Sequence, residues 1–337
     1  EFSFKKMLNV GKSAMITANA NILFMLFLGY YTGLLLGWST TDSFFLGSMI
    51  SMSSTTIIIK AFDDLNIKKQ KFTDLVFGVL VIEDLVGILL LVLLPMVALG
   101  QSINGGELAL STFKLLSFLI LCFVIGIYIV PTVLKKLTSF LNDEMLLLIT
   151  VGMCFGMVWL ATASGFSSAL GAFLMGSVLS ETGLIVRIEN VVRPLKDFFG
   201  AVFFVSVGMM VDPAMFVTYA GPIAVVTLIV VVGKVVFSCF GFVISGQSLR
   251  TSTECAFSLA QVGEFAFIIA ALGMSLGVLD GQVYPVIVAV SVITTFLTPV
   301  MIRSAGPVYR LIERKLPASW SRYINKASAA RAPSRSE

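Results

Sequence analysis

The stretch Phe77-Gly-Val-Leu-Val-Ile-Glu-Asp-Leu-Val-Gly-Ile-Leu-Leu-Leu-Val-Leu-Leu-Pro95 decides the fold. It is apolar and long enough to cross a bilayer, yet Glu83 and Asp84 stand side by side at its middle. A charge at the centre of a membrane helix costs about 2.5–3.5 kcal/mol on insertion scales. Packing gains nothing from that cost, so these carboxylates are expected to serve a function that needs charge.

Working outward, the composition agrees with a membrane setting. Hydrophobic residues make up 57% of the 337-residue chain and charged residues 12%, against about 25% charged in a soluble domain. The mean hydropathy is +0.98. The apolar runs are continuous, whereas a β-barrel shows alternating segments of about ten residues, so helices are predicted. With about 20 residues per span, about ten helices fit. The absence of histidine excludes imidazole as ligand, base or pH sensor. Cys122, Cys154, Cys239 and Cys255 lack Cys-x-x-Cys spacing and read as small apolar residues, with no metal or disulfide role. No cofactor is implied. The chain opens at Glu1, with no signal-peptide pattern, and reads as a fragment lacking N-terminal spans.

The predicted spans are 13–37, 42–60, 73–98, 112–134, 144–163, 166–180, 197–211, 218–245, 251–275 and 282–303, each judged by length and apolarity. Placing the N-terminus inside puts Lys5, Lys6, Lys12, Lys60, Lys68, Lys69, Lys71, Lys135, Lys136, Arg187, Arg193, Lys196, Arg250, Arg303 and the C-terminal tail on the cytoplasmic side. Only Lys114 falls outside, a strong positive-inside bias. The net charge of +4 therefore reports topology and contact with anionic lipid; nucleic-acid binding has no support. Beyond the last span, Tyr309-Arg-Leu-Ile-Glu-Arg-Lys-Leu-Pro317 reads as a short basic surface helix, and 327–337 as disordered.

Lys234 and Glu264 are the other ionisable residues deep in spans, and both fall near mid-depth with Glu83 and Asp84. Such a cluster can partly neutralise itself. Adjacent helix residues differ by about 100° around the axis, so Glu83 and Asp84 must face different targets: one a hydrated cavity, the other a partner such as Lys234. Inert packing would be the alternative role for these charges. Ser51-Met-Ser-Ser-Thr-Thr56 is a dense polar run at the centre of the second span. Ser53, Ser54, Thr55 and Thr56 can bond freed carbonyls, offer oxygens to a cation or join helices. Gln261-Val-Gly263, before Glu264, invites a matching break in the ninth span. The two breaks fall in the second helix of triplets running in opposite senses, the pattern of an inverted repeat with two discontinuous helices.

With Ser53-Ser-Thr-Thr-Ile-Ile-Ile-Lys60, Phe77-Gly-Val-Leu-Val-Ile-Glu-Asp-Leu85, Gly171-Ala-Phe-Leu-Met-Gly176, Phe203-Phe-Val-Ser-Val-Gly-Met209 and Ala260-Gln-Val-Gly-Glu-Phe-Ala-Phe267 in view, the chain resembles the monovalent cation:proton antiporter-2 family, from residue 1 to about 303. That resemblance implies an all-α, NhaA-like membrane fold with two crossing broken helices and a dimer-forming panel. It implies a first half of the core at 1–98, a linker helix at 99–137, part of the panel at 138–212, a second half of the core at 213–303 and a cytoplasmic tail at 304–337. Asp84 matches the family's ion- and proton-binding carboxylate, Glu83 the position before it, Lys234 the charge partner, and Ser54 and Thr55 the broken helix. A Glu-Asp pair departs from the family's usual Asp-Asp, Asn-Asp or Gln-Asp patterns. Secondary candidates are Glu264, Gln261, Ser53 and Thr56.

The expected activity is exchange of Na+ or K+ for H+, both competing for Asp84, with alternating access by rocking of the core. The carboxylates and lysine titrate as coupled groups. A homodimer in a bacterial or archaeal inner membrane is expected, with the tail cytoplasmic. A passive cation channel would need the same charges without occlusion. An intramembrane carboxylate enzyme would need two facing carboxyls, which Asp84 and Glu264 could supply, although no protease motif accompanies them.

Overall fold

The computed structural model describes residues 11–68, 70–98, 142–164, 168–209 and 213–315, with isolated positions between 117 and 136. Helix is the only regular secondary structure among those residues, with no strand. In chain order the helices are α1 (Lys12–Leu35), α2 (Thr40–Ser51), α3 (Thr55–Asp64), α4 (Lys71–Ala98), α5 (Asp143–Ala163), α6 (Ser168–Ser180), α7 (Ile185–Met209), α8 (Pro213–Thr218), α9 (Ala220–Ile244), α10 (Leu249–Ser258), α11 (Phe265–Ser275) and α12 (Val283–Lys315). Six segments are long and apolar enough to span a bilayer among the described residues: α1, α2 with α3, α4 to Pro95, α5, α9 and α12. The protein is therefore an all-α, multi-pass integral membrane protein.

Local sequence sets the helix ends. Ser39, Ser54, Asn142 and Ser248 are N-caps whose side chains accept backbone N–H bonds from Asp42, Ile57, Met145 and Thr251, satisfying donors that a helix start leaves open. α1, α9 and α11 each end before a glycine of positive φ, Gly37, Gly246 and Gly277. The following amide then turns back on the helix, as Trp38 does to Gly33 at 3.0 Å.

The chain divides into two compact units, with the boundary inside α4 between Leu90 and Leu91. The larger unit holds residues 9–90 and 211–337. In it α1 packs on α2 and α9, α9 on α10 and α12, and α11 on α2 and α12. Small residues allow this closeness: a Cβ on Gly29 would lie 2.5 Å from Gly47 Cα, and one on Gly47 would strike the Leu26 carbonyl. The smaller unit, from Leu91 to Met210, packs α5 against α6 and α7, with Gly171 seated on the backbone of Met157 and Val158.

Two expectations change. The span at 197–211 is the second half of a helix that runs from Ile185 to Met209 and carries Arg187, Glu189, Arg193, Lys196 and Asp197 in its first half. Likewise the basic stretch from Tyr309 is no separate surface helix. It extends the last span through Pro299 and Pro307 to Lys315. Hydroxyls serve the backbone there: Thr298 donates to the Thr294 carbonyl at 2.8 Å and Ser304 to that of Val300 at 2.7 Å. The expected span at 112–134 and linker at 99–137 lie mostly outside the described residues, and the tail 327–337 wholly so.

Candidate functional site

Two helices break, and the breaks meet. Met52 and Ser53 separate α2 from the Ser54 cap of α3, and Leu259 to Glu264 separate α10 from α11. Gly263 N donates to Met52 O at 2.9 Å, and Gln261 Nε2 to Ser54 O at 3.3 Å. The approach requires glycine: a Cβ on Gly263 would stand 2.5 Å from Ser53 O. From behind, α12 secures the second break through Thr294 Oγ1, which accepts from Val262 N at 3.3 Å, and Ser291, which donates to Val262 O at 3.4 Å.

Four consecutive residues of the first break reach all four mid-span charges. Ser53 N donates to Glu83 Oε2 at 2.8 Å, and Ser53 Oγ accepts from Lys234 Nζ at 2.8 Å. Ser54 Oγ donates to Glu264 Oε2 at 2.5 Å, and Thr56 Oγ1 to Glu264 Oε1 at 3.2 Å. Thr55 Oγ1 donates to Asp84 Oδ2 at 3.3 Å. All nine residues singled out from the sequence thus lie in or against the crossing.

The neighbours Glu83 and Asp84 occupy different surroundings. Glu83 is fully buried, and its other oxygen accepts from Asn21 Nδ2 at 2.8 Å. Donors on both oxygens offset part of the desolvation of a carboxylate. Asp84, by contrast, is only partly buried, as is Glu264. Lys234 is fully buried and meets Glu83 through Ser53 rather than in a direct ion pair. Ser53 Oγ in turn donates to the Leu259 carbonyl at 3.2 Å, which ties the ammonium to the negative C-terminal end of α10. Glu264 stands at the N-terminus of α11 and Asp84 beside the first residue of α3. Both carboxylates therefore sit at the positive end of a half-helix, where the dipole favours negative charge.

Asn21 escaped the sequence reading. An amide nine residues into an apolar helix was the available signal, and the carboxylates overshadowed it. Ser291 and Thr294 were missed too, because hydroxyls in membrane helices usually serve their own backbone. Chemically, the crossing offers two accessible carboxylates, hydroxyls and freed carbonyls: a hard oxygen environment suited to a small cation or a proton.

The sequence pattern of the transmembrane sodium/hydrogen exchanger family matches residues 1–305. YbaL of Escherichia coli (strain K12) is 32% identical over 311 residues, 89% of this chain and 55% of its own. The K(+)/H(+) antiporter subunit KhtU of Bacillus subtilis (strain 168) is 28% identical, covering 93% of this chain and 77% of its own. A Na(+)/H(+) antiporter of Enterococcus hirae is 26% identical, with 87% and 76% covered. The chain thus spans about half the length of YbaL, and its relatives are transporters rather than enzymes. With the family pattern running over nine-tenths of its length, the chain belongs to the sodium/hydrogen exchanger family of membrane proteins and, by its motifs and relatives, to the monovalent cation:proton antiporter-2 group.

Proposed function

We propose that the chain carries the exchange of a monovalent cation, Na+ or K+, for protons. The observation that carries this reading is the division between two adjacent acids. Glu83 is buried with a donor on each oxygen, an arrangement that favours keeping those partners over taking a cation. Asp84 stands at the helix crossing, partly accessible, beside Thr55 and the positive end of α3. Asp84 is the carboxylate for which cation and proton compete, with Ser54 and Thr55 supplying oxygens. Glu83 and Lys234 hold the crossing and set its charge. Glu264 adds a second carboxylate on the opposite half-helix, and Gln261 and Thr56 position the two breaks. The printed activities of KhtU and the Enterococcus protein support cation/proton exchange as the class.

The antiparallel meeting of two broken helices supports an NhaA-like fold with inverted repeats and about ten spans. In this reading residues 1–98 and 213–303 form the moving core, 99–137 a linker, and 138–212 part of a dimer-forming panel in the full-length protein. The site moves only when occupied, because an empty charged centre is costly to carry past the hydrocarbon. The positive-inside pattern supports a cytoplasmic tail at 304–337, and bacterial relatives such as YbaL and KhtU support a bacterial or archaeal inner membrane. The test is proton flux in liposomes holding a trapped pH dye, driven by Na+ or K+ gradients. Proton movement that follows one or both cations is expected. Cation flux without proton counterflow would instead favour a passive channel.

A further inference from the structure

Two half-helices that meet at the crossing, α3 and α10, enclose a cavity at their far ends that the exchange site does not use. α3 runs away from the Ser54 cap to Asp64, and α10 begins at Leu249 and runs toward the second break. α12 packs against both. Within this larger unit, a cavity of about 550 Å³ lies between the α3–α4 turn, the first turn of α10 and residues 302–306 of α12. That is the size of a small-ligand site, which typically joins an apolar wall to a few polar groups. Here the apolar wall includes Phe72 and Ile302, both nearly buried.

The charges of the cavity do not cancel. Of its acids, Glu254 pairs with Arg250 at 3.0 Å and Asp64 with Lys60 at 2.9 Å. Arg303 and the side-chain amide of Gln70 also line it, and neither has an ion pair or hydrogen bond among the described residues. One net positive charge remains, on a guanidinium whose planar fork fits phosphate oxygens. A phosphodiester carries one negative charge and matches it. A phosphate monoester carries about −1.5 to −2 near neutral pH, more than the cavity balances. Asp64, Arg250 and Arg303 each lie about 14–15 Å of helix rise from the crossing, counted from Ser54, Leu259 and Thr294. The hydrocarbon core of a bilayer is about 30 Å thick, so a crossing at mid-depth puts the cavity level with the headgroups.

We propose that this cavity binds the headgroup of an anionic phospholipid of the phosphatidylglycerol type, with its phosphodiester on Arg303, Arg250 and Gln70 and its glycerol and upper acyl carbons against Phe72 and Ile302. The positive-inside pattern places it in the cytoplasmic leaflet, where basic pockets between helices hold such headgroups. The bound phosphate ties the first turn of α10 to α12. α12 already secures the second break through Thr294 and Ser291, so the lipid steadies α10 at both ends and speeds exchange. Binding does not depend on the antiport reading; only its effect on exchange does.

The first test is the thermal midpoint of the full chain in neutral detergent, with phosphatidylglycerol, phosphatidylcholine or inorganic phosphate added. Phosphatidylglycerol should raise the wild-type midpoint by several degrees. Arg303→Gln should lose most of that rise and Arg303→Lys should keep part of it. Arg310→Gln, which removes a cation of α12 outside the cavity, should keep it all. No rise in the wild type, or the same rise in Arg303→Gln, would overturn the site; equal losses in both glutamine variants would reduce it to unspecific surface charge. Inorganic phosphate or phosphatidylcholine acting as well as phosphatidylglycerol would overturn the lipid assignment. The second readout is cation-driven proton flux in phosphatidylcholine liposomes. Added phosphatidylglycerol should speed the wild type severalfold and leave Arg303→Gln at its rate without it, and equal stimulation of both would overturn the proposed coupling. A wild type without flux in either lipid would defeat the antiport reading, while the thermal test would still decide the site.

Discussion

Glu83 and Asp84 differ by one methylene and one position, yet one is fully buried and the other partly exposed, and the proposed exchange gives them different work. Glu83 is held by Asn21 and the Ser53 amide. Asn21→Ala should lower stability by about 1–3 kcal/mol, the usual cost of leaving a buried polar group short of a partner, read as an earlier thermal midpoint in detergent. Ser53→Ala keeps the amide on Glu83 and removes the hydroxyl that receives Lys234. If the ammonium tunes the centre, Ser53→Ala and Lys234→Ala should shift the pH profile of exchange in the same direction, the lysine variant more. Unchanged profiles would remove Lys234 from the mechanism. The carboxylates were legible in the sequence because charge in an apolar run is rare and costly. Their partners were not. Asn21 lies 62 positions from Glu83 and Ser53 lies 30 away, and Lys234, expected as a direct partner, is displaced by one hydroxyl. Only packing sets such distances.

At the scale of helices, the two breaks could be read in advance from Ser51–Thr56 and from Gln261-Val-Gly263, since hydroxyls and glycine tolerate freed backbone. The extents of α7 and α12 could not. Prolines and charges mark helix ends in water, but Pro299 and Pro307 sit inside α12, where Thr298 and Ser304 hydroxyls bond its carbonyls. The crossing itself depends on one missing side chain. Gly263→Ala would drive a methyl into the Ser53 carbonyl, and overpacking of this kind costs about 1–3 kcal/mol. We expect reduced thermal stability and loss of exchange together; a stable, fully active alanine variant would show that the breaks can separate. Gly47→Val should have a comparable effect on stability, by forcing α2 from the Leu26 backbone.

For the molecule as a whole, composition and the positive-inside pattern were enough to predict a multi-pass helical protein, and the helices of both units agree with that class. Ion choice was not legible, because sodium and potassium both bind carboxylate, hydroxyl and carbonyl oxygens, and selection depends on spacing and rigidity. Relatives named for each ion share similar identity with this chain. The central claim is that Asp84 alone of the adjacent pair carries cation and proton in turn. Cation-driven proton flux in proteoliposomes, measured for wild type and Asp84→Asn at matched protein density, tests it most directly. Flux in the wild type and none above empty liposomes in Asp84→Asn is the predicted result, and wild-type flux in Asp84→Asn would contradict it.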